Sequence, residues 1–510
     1  VTETDSAQLF DPKALPPLEM HNWCLEQLKP LGITVSRPPS LSEENPFWLK
    51  PYQVEGVRFI LQARGRCLLA DETGLGKTGQ VYMAWQGLKR PSPALILAGK
   101  NAQYAWLRQA KEWDCPTPIT IDGDLYERPK QWQAFFDRLA KGEKDLIVIC
   151  TREIYKRDLK TTPFLSKIAW VMLITDEAQR DINRKTGNHQ LVREVSRFSA
   201  YHVAVTASPQ RKGPQDLWAN LHCLDRKFFS SYWRFVETHL FVNKDGPYGW
   251  EILGEKPDSQ LHKILARYMI QRGGDVAGRP RRTRIFEPYI RPDETQKKIL
   301  LELTEDLIAD LGDGNLLITP NEMTKILRMR QLLVCPKILN QSLGYGACVE
   351  RLIELLDETS DRHCVVFTPF KAAFQPIAQA IQDAKLGIRH IEFLSGGLST
   401  DDLAYKIKTW RNTKGIMVCT VQYAESFDLV PAKWAYFCGY EWSVVQNLQA
   451  EGRLDRVNNI NQDGTPSAIT YYYPTHEDCV DSQLIRPRLD QNVEATIPLL
   501  QRTKDFLAAL

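Results

Sequence analysis

From about residue 47 to 273, short apolar runs alternate with amphipathic stretches, the pattern of parallel strands separated by helices. Cys67-Leu68-Leu69 and Trp170-Val171-Met172-Leu173-Ile174 are two such runs, and each reads as a buried strand. Gln80-Val81-Tyr82-Met83-Ala84-Trp85 follows the first run and reads as a helix. Helix-like apolar spacing also marks residues 21–28, 260–270, 323–333 and about 498–510. The motifs described below organise the chain into an accessory segment and linker (1–46) rich in Pro and Glu and a first α/β lobe (47–273). A mainly helical linker or protrusion (274–345), a second α/β lobe (346–480) and a C-terminal helix (481–510) follow.

The loop after the first run carries the most specific chemistry. Ala70-Asp71-Glu72-Thr73-Gly74-Leu75-Gly76-Lys77-Thr78 lies between strand and helix, an arrangement that wraps backbone N–H groups around phosphate oxygens. Thr73, Gly74 and Gly76 supply the loop, Lys77 neutralises the β/γ-phosphates, and the Thr78 hydroxyl holds Mg²⁺. Asp71 stands where the strict pattern has its first glycine. The second run ends in Asp176-Glu177-Ala178-Gln179, which assigns Asp176 to the metal and Glu177 to the attacking water. Near the C-terminus, Gln449-Ala450-Glu451-Gly452-Arg453-Leu454-Asp455-Arg456 places two guanidiniums three residues apart, on one face if the segment is helical. Arg453 and Arg456 suit the stabilisation of γ-phosphate charge in a transition state.

In this order, the motifs resemble the Swi/Snf-type ATPases, the duplex-DNA translocase branch of the superfamily-two helicases. The resemblance covers roughly residues 48–460. It implies two RecA-like P-loop lobes with parallel sheets, with helical insertions and a linker between them. It makes Gln53, in Leu49-Lys50-Pro51-Tyr52-Gln53, the reader of adenine, and adds Gln179 to the nucleotide contacts. Ala94-Leu95-Ile96-Leu97 and Ile147-Val148-Ile149-Cys150-Thr151 are similar to the next strands of such a lobe. Thr206-Ala207-Ser208-Pro209 is similar to the motif that links hydrolysis to lobe movement, and Val365-Val366-Phe367-Thr368-Pro369-Phe370 to a second-lobe motif. DNA contacts would fall near Thr151, Ser395, Gly396 and Thr420, with ATP and Mg²⁺ between the lobes.

Three departures stand out. The fifth motif, Thr420 to Leu429, has no glycine, so close backbone approach must be achieved differently. Gln179 replaces the usual His, and Val457-Asn458-Asn459 replaces Ile-Gly-Gln after Arg456. The most basic run, Gly278-Arg279-Pro280-Arg281-Arg282-Thr283-Arg284, reads equally as a solvated connector or as a phosphate contact.

Composition narrows the setting. With 510 residues, 43% hydrophobic and 25% charged, the chain has ample core for two to four domains. A net charge of +3 gives no global electrostatic case for nucleic acid, so any DNA site must be local. Eleven cysteines without a C-x-x-C pair argue against a zinc site or a disulfide framework and for a reducing compartment. Compactness without chromatin-reading modules favours the cytoplasm of a bacterial or viral setting, or the nucleus in a eukaryote. Nine histidines show no ligand spacing; His202, His222 and His239 read as structural or surface residues. No apolar run is long enough to span a membrane, and the polar start does not read as a signal peptide.

The expected activity is that of an ATP-driven translocase on double-stranded DNA that remodels bound proteins or branched DNA, with a protein partner able to supply specificity. One alternative is a strand-separating helicase or the motor of a restriction or recombination system. Another is a nucleotide-dependent DNA clamp with little hydrolysis.

Overall fold

The computed structural model describes residues 15–36, 49–210, 213–246, 249–277, 283–286, 290–306, 308–311, 316–318, 322–398, 400–425, 428–442, 444–455, 459, 467–477, 479, 482 and 486. Contacts divide the chain after Ala277 into two compact units. The C-terminal helix expected at about 498–510 lies outside the described residues.

Each unit is built on a parallel sheet. The first unit contains β1 (Arg66–Leu69), β2 (Ala94–Leu97), β3 (Ile119–Thr120), β4 (Ile147–Cys150), β5 (Met172–Thr175) and β6 (Tyr201–Val205). The hairpin β7 (Leu240–Gly246) and β8 (Gly249–Glu255) follows, and β9 (Met269–Ile270) completes the sheet. The seven sheet strands run in the order β3-β4-β2-β5-β6-β1-β9. β2, β4 and β5 are buried along their whole length, as near-continuous apolar runs in a covered parallel sheet should be. Register sets their C-terminal ends side by side, with Leu69 against Val205, Thr175 against Ala204, and Leu97 against both Thr175 and Cys150.

Helix Lys77–Gly87 shows no polar face, because residues 79–86 are all buried. A Cβ on Gly79 would lie 2.4 Å from the Trp113 ring, so only glycine permits this packing. Helix Pro17–Leu28 docks on this unit as its spacing predicts, burying Cys24 and Leu28 among Val57 and Ile60. His21 Nδ1 accepts the Leu49 N–H at 2.9 Å, and burial lowers the pKa of its imidazole.

The second unit contains β10 (Thr283–Phe286), the hairpin β11 (Ile308–Asp310) and β12 (Leu316–Ile318), β13 (Cys364–Thr368), β14 (Ile391–Leu394), β15 (Ile416–Thr420), β16 (Trp434–Phe437) and β17 (Thr470–Tyr473). Its sheet runs β10-β17-β16-β13-β15-β14. Alternate residues of β13 feed opposite faces: Val365 and Phe367 one core, Cys364 and Val366 the other. Helices Glu294–Asp306 and Glu322–Val334 pack with the hairpin through Ile299, Leu303, Ala309, Met329 and Leu332.

Two sequence expectations are corrected here. Residues 269–270 are strand β9 rather than the end of a helix, because pairing with β1 overrides the local apolar spacing. β10, inside the expected helical linker, is the edge strand of the second sheet, held by parallel pairing with the distant β17. Among the described residues, no helix is long and apolar enough to cross a membrane.

Candidate nucleotide site

The phosphate loop leaves β1 at the sheet edge where β2, β5 and β6 also end, the usual place for ligands in open α/β sheets. Gly74 and Gly76 have φ of +81° and +69°, left-handed values that a side chain resists. Gly76 immediately precedes helix Lys77–Gly87, whose first N–H groups therefore face the loop. The Lys77 ammonium folds over the loop and donates to the carbonyls of Asp71 (2.7 Å) and Glu72 (3.0 Å). Thr73 and Thr78 lie within this turn and are half-buried.

Gln53 is buried beside the loop, where a Cβ on Gly76 would approach its Nε2 to 2.7 Å. Its Oε1 accepts the Lys50 N–H at 3.1 Å, which orients the amide at the start of helix Pro51–Gln62. The expected base reader and the phosphate loop are thus neighbours.

Asp71, the departure from the glycine pattern, is fully buried. Arg272 grips it with Nε to Oδ1 at 2.9 Å and Nη2 to Oδ2 at 2.6 Å, and the Gln80 amide donates to it at 3.2 Å. The carboxylate anchors the loop. Arg272 escaped the sequence reading because it stands 201 residues from its partner, and no local signal marks such a pair.

At the end of β5, Asp176 donates its N–H to the Leu97 carbonyl at 3.0 Å. Its Oδ2 accepts Trp106 Nε1–H at 2.8 Å, and its Oδ1 accepts the Glu177 N–H at 2.9 Å. Burial, and then the Glu177 carboxylate, raise the pKa of Asp176, while the Trp106 hydrogen bond and the Lys77 charge oppose them. The field of Lys77 thus reaches the expected metal ligand. Glu177 has φ +50°, a left-handed position that turns the chain at the strand end.

Gln179 is buried and uses both ends of its amide. Nε2 donates to Glu177, and Oε1 accepts the Thr206 hydroxyl. The residue expected among the nucleotide contacts therefore bridges Glu177, the carboxylate expected to polarise the water, to the motif after β6. Arg152 supports the same strand ends, pairing with Asp181 at 2.6 Å and donating to the Asp176 carbonyl at 2.9 Å. Thr151, expected near DNA, caps the helix Arg152–Thr161 by accepting the Ile154 N–H at 3.1 Å.

These residues fit Mg·ATP. The loop offers backbone donors and a lysine to phosphates, and Thr78 and Asp176 are hard oxygen donors of the kind Mg²⁺ takes alongside substrate phosphates. His202, His222 and His239 serve the fold: Ser196 and Thr175, the Phe229 carbonyl and the Ser259 carbonyl, respectively, are their partners.

In the second unit, Ser395 and Gly396 follow β14, and Thr420 ends the adjacent β15, with Leu394 paired to Cys419. The structure thus brings these three expected contacts together at one sheet edge. Gly396 is exposed, with nothing within 4 Å of where a Cβ would stand. Arg453 is buried just after helix Val444–Glu451, and its carbonyl accepts the Leu429 N–H at 2.8 Å. The glycine-free fifth motif is therefore tied to the arginine loop at one end. At the other end, Gln422 donates to buried Glu441 at 3.0 Å. Arg456 lies outside the described residues, as do residues 278–282 of the basic run. Arg284, at the end of that run, grips Glu451 with a fork of 2.6 and 2.7 Å, a pairing that the sequence did not suggest.

The chain matches the family model of the SNF2-related domain over residues 52–305 and that of the helicase conserved C-terminal domain over residues 347–458. It is 30% identical to the ISWI chromatin-remodeling complex ATPase ISW1 of Saccharomyces cerevisiae over 81% of this chain and 38% of that protein. It is 20% identical to the human DNA annealing helicase and endonuclease ZRANB3 over 90% of this chain and 41% of that protein. Among solved structures, it is similar to the Sulfolobus solfataricus SWI2/SNF2 ATPase core in complex with dsDNA. That likeness has 20% identity, covers 86% of this chain and 89% of that one, and has a TM-score of 0.40. The chain spans less than half the length of the curated relatives that it matches. With both domain models matched in order along the chain, it belongs to the SNF2-related, Swi/Snf-type family of helicase-like ATPases.

Proposed function

We propose that this chain hydrolyses ATP and uses the energy to translocate on double-stranded DNA, remodelling protein–DNA complexes or branched DNA. The observation that carries the reading is the continuous chain of contacts from Glu177 through Gln179 to Thr206 beside the phosphate loop. It ties the group that polarises the attacking water to the motif expected to transmit hydrolysis into movement.

The roles follow from the chemistry. The loop and Lys77 bind and orient the phosphates, Gln53 reads the base, and Glu177 holds the water that attacks the γ-phosphorus. Thr78 and Asp176 would hold Mg²⁺, which when bound would neutralise charge on the phosphates. Arg453, with Arg456, supplies further positive charge as the transition state forms. Ser395, Gly396 and Thr420 stand at C-terminal strand ends and suit contacts to a phosphate backbone, which give grip without sequence information, whereas Thr151 is buried and its hydroxyl is committed to a helix cap. The names of the relatives, a chromatin-remodelling ATPase and a DNA annealing helicase, agree with a DNA-directed motor.

The test is steady-state ATP hydrolysis without DNA, with single-stranded DNA and with duplex DNA, using Lys77→Ala as control. Stimulation by duplex supports translocation. Preference for single strands would replace it with a strand-separating helicase. Binding without turnover would leave the clamp.

A further inference from the structure

We propose that Arg272 and Arg284 are positioning residues for the two loops that carry the nucleotide chemistry, one in each unit. The segment between them contains the point at which the chain passes from one unit to the other. The inference rests on the functional reading above and extends it to residues outside the recognised motifs.

On the first side, the link is both ionic and backbone. Asp71 is wholly buried, and an unpaired carboxylate there would be expensive. Arg272 meets it with the two-pronged geometry that fixes orientation as well as charge. The same guanidinium donates to Gln80 Oε1 at 3.0 Å and to the carbonyl of Tyr52, next to the base reader Gln53. The chain is stitched alongside: the Ala70 N–H reaches the Ile270 carbonyl at 2.8 Å, and the Glu72 N–H the Arg272 carbonyl at 2.9 Å. Glu72 accepts the Gly274 N–H at 2.6 Å. The phosphate loop therefore begins on a platform made by residues 270–274.

On the second side, Arg284 lies on the edge strand β10 and forks onto Glu451, 167 residues away. Glu451 is the last residue of helix Val444–Glu451 and stands two residues before Arg453. Its side chain also accepts the Tyr473 hydroxyl at 2.7 Å, and its carbonyl accepts the Tyr471 hydroxyl at 2.8 Å. The helix end from which the arginine loop departs is thus held from the first strand after the crossing.

Ion pairs onto a buried carboxylate stabilise little compared with apolar packing of the same volume, but they impose one geometry, and Asp71 and Glu451 are both buried. Both pairs hold the base of a loop that must be placed to a fraction of an ångström, and both arginines lie on the connecting stretch. Within its own unit, a displacement of Arg272 would reach Asp71, and one of Arg284 would reach Glu451.

The experiment uses two double-mutant cycles on the full chain. For Arg284→Gln, Glu451→Gln and their combination, kcat for ATP is expected to fall about tenfold in each single variant and no further in the double. The affinity for Mg·ADP, titrated directly with a fluorescent analogue, is expected to stay unchanged. For Arg272→Gln, Asp71→Asn and their combination, Mg·ADP affinity itself is expected to fall about tenfold, again without further loss in the double. If a Gln variant does not fold, Arg272→Lys or Arg284→Lys keeps the charge, loses the fork and carries the same expectation.

Full kcat in a folded Arg284 variant, unchanged Mg·ADP affinity in a folded Arg272 variant, or losses that multiply in the doubles would overturn the proposal. A folded wild type that binds Mg·ADP but does not hydrolyse ATP would overturn the functional reading instead. The Arg272 cycle, read by binding, would still be decided.

Discussion

The two units present their site residues at the C-terminal ends of parallel strands, but they hold them differently. In the first unit several polar groups at that edge are engaged by side-chain partners: Asp71 by Arg272, Asp176 by Trp106, Gln179 by Glu177 and Thr206, and Asp181 by Arg152. Among the described residues of the second unit, Arg453 is buried beside the forked Arg284–Glu451 pair, whereas Ser395, Gly396 and Thr420 are half-buried or exposed at the edge. The difference matches the two tasks proposed for these residues. Stabilising charge on a transferring phosphoryl group requires fixed dipoles in place before the reaction, so its groups are locked. Contact with a phosphate backbone that must be released and regained favours accessible groups with few internal commitments.

The largest expected effects separate the units by kinetics. Lys77→Ala and Arg453→Gln should each lower kcat on the order of a thousandfold. Lys77→Ala should also weaken Mg·ADP binding, whereas Arg453→Gln should leave it intact, as read by nucleotide titration beside phosphate release. Equal loss of ADP affinity in both variants would erase the proposed division of labour.

Stability should show the same asymmetry. Arg152→Ala leaves Asp181 buried without its partner and should cost about 3–5 kcal/mol, seen as a lower urea midpoint. The exposed pair of Arg351 with Glu354 in the second unit should contribute less than about 1 kcal/mol when Glu354 is replaced by Ala.

The first unit should also respond to acid. His202 is wholly buried between Thr175 and Ser196, and burial, aided by the charge of Arg66, lowers its pKa to about 3. The unfolded chain, with an ordinary imidazole near pH 6.5, binds more protons between these values, so stability falls as pH falls through that window. From pH 7 to 5 the loss from this residue should be about 2 kcal/mol, and a folded His202→Gln variant should show a flatter profile by urea denaturation.

A smaller effect tests the bridge at the strand ends. Gln179→Ala removes hydrogen bonds to Glu177 and Thr206 and should lower kcat about tenfold with little change in nucleotide affinity. A variant with full turnover but lost stimulation by duplex DNA would place Gln179 in transmission alone.

The sequence was legible where chemistry is local. β1, the phosphate loop and helix Lys77–Gly87 form one short stretch whose apolar run, glycines and Lys-Thr pair each announce the next part. β5 with Asp176 and Glu177 was equally plain, because a buried parallel strand is a continuous apolar run. The expectation failed at β9 and β10, both at or near sheet edges, where short segments owe their conformation to a distant partner strand.

The order of the motifs, the residue types in them and the family that they define were therefore written in the chain itself. Tertiary structure alone decided why Asp71 can stand in a glycine's place, what Gln179 bridges, and which buried carboxylates receive Arg272 and Arg284. Those pairings join residues far apart in the chain, brought together by non-sequential strand order, and no local pattern of hydrophobicity or spacing can encode them.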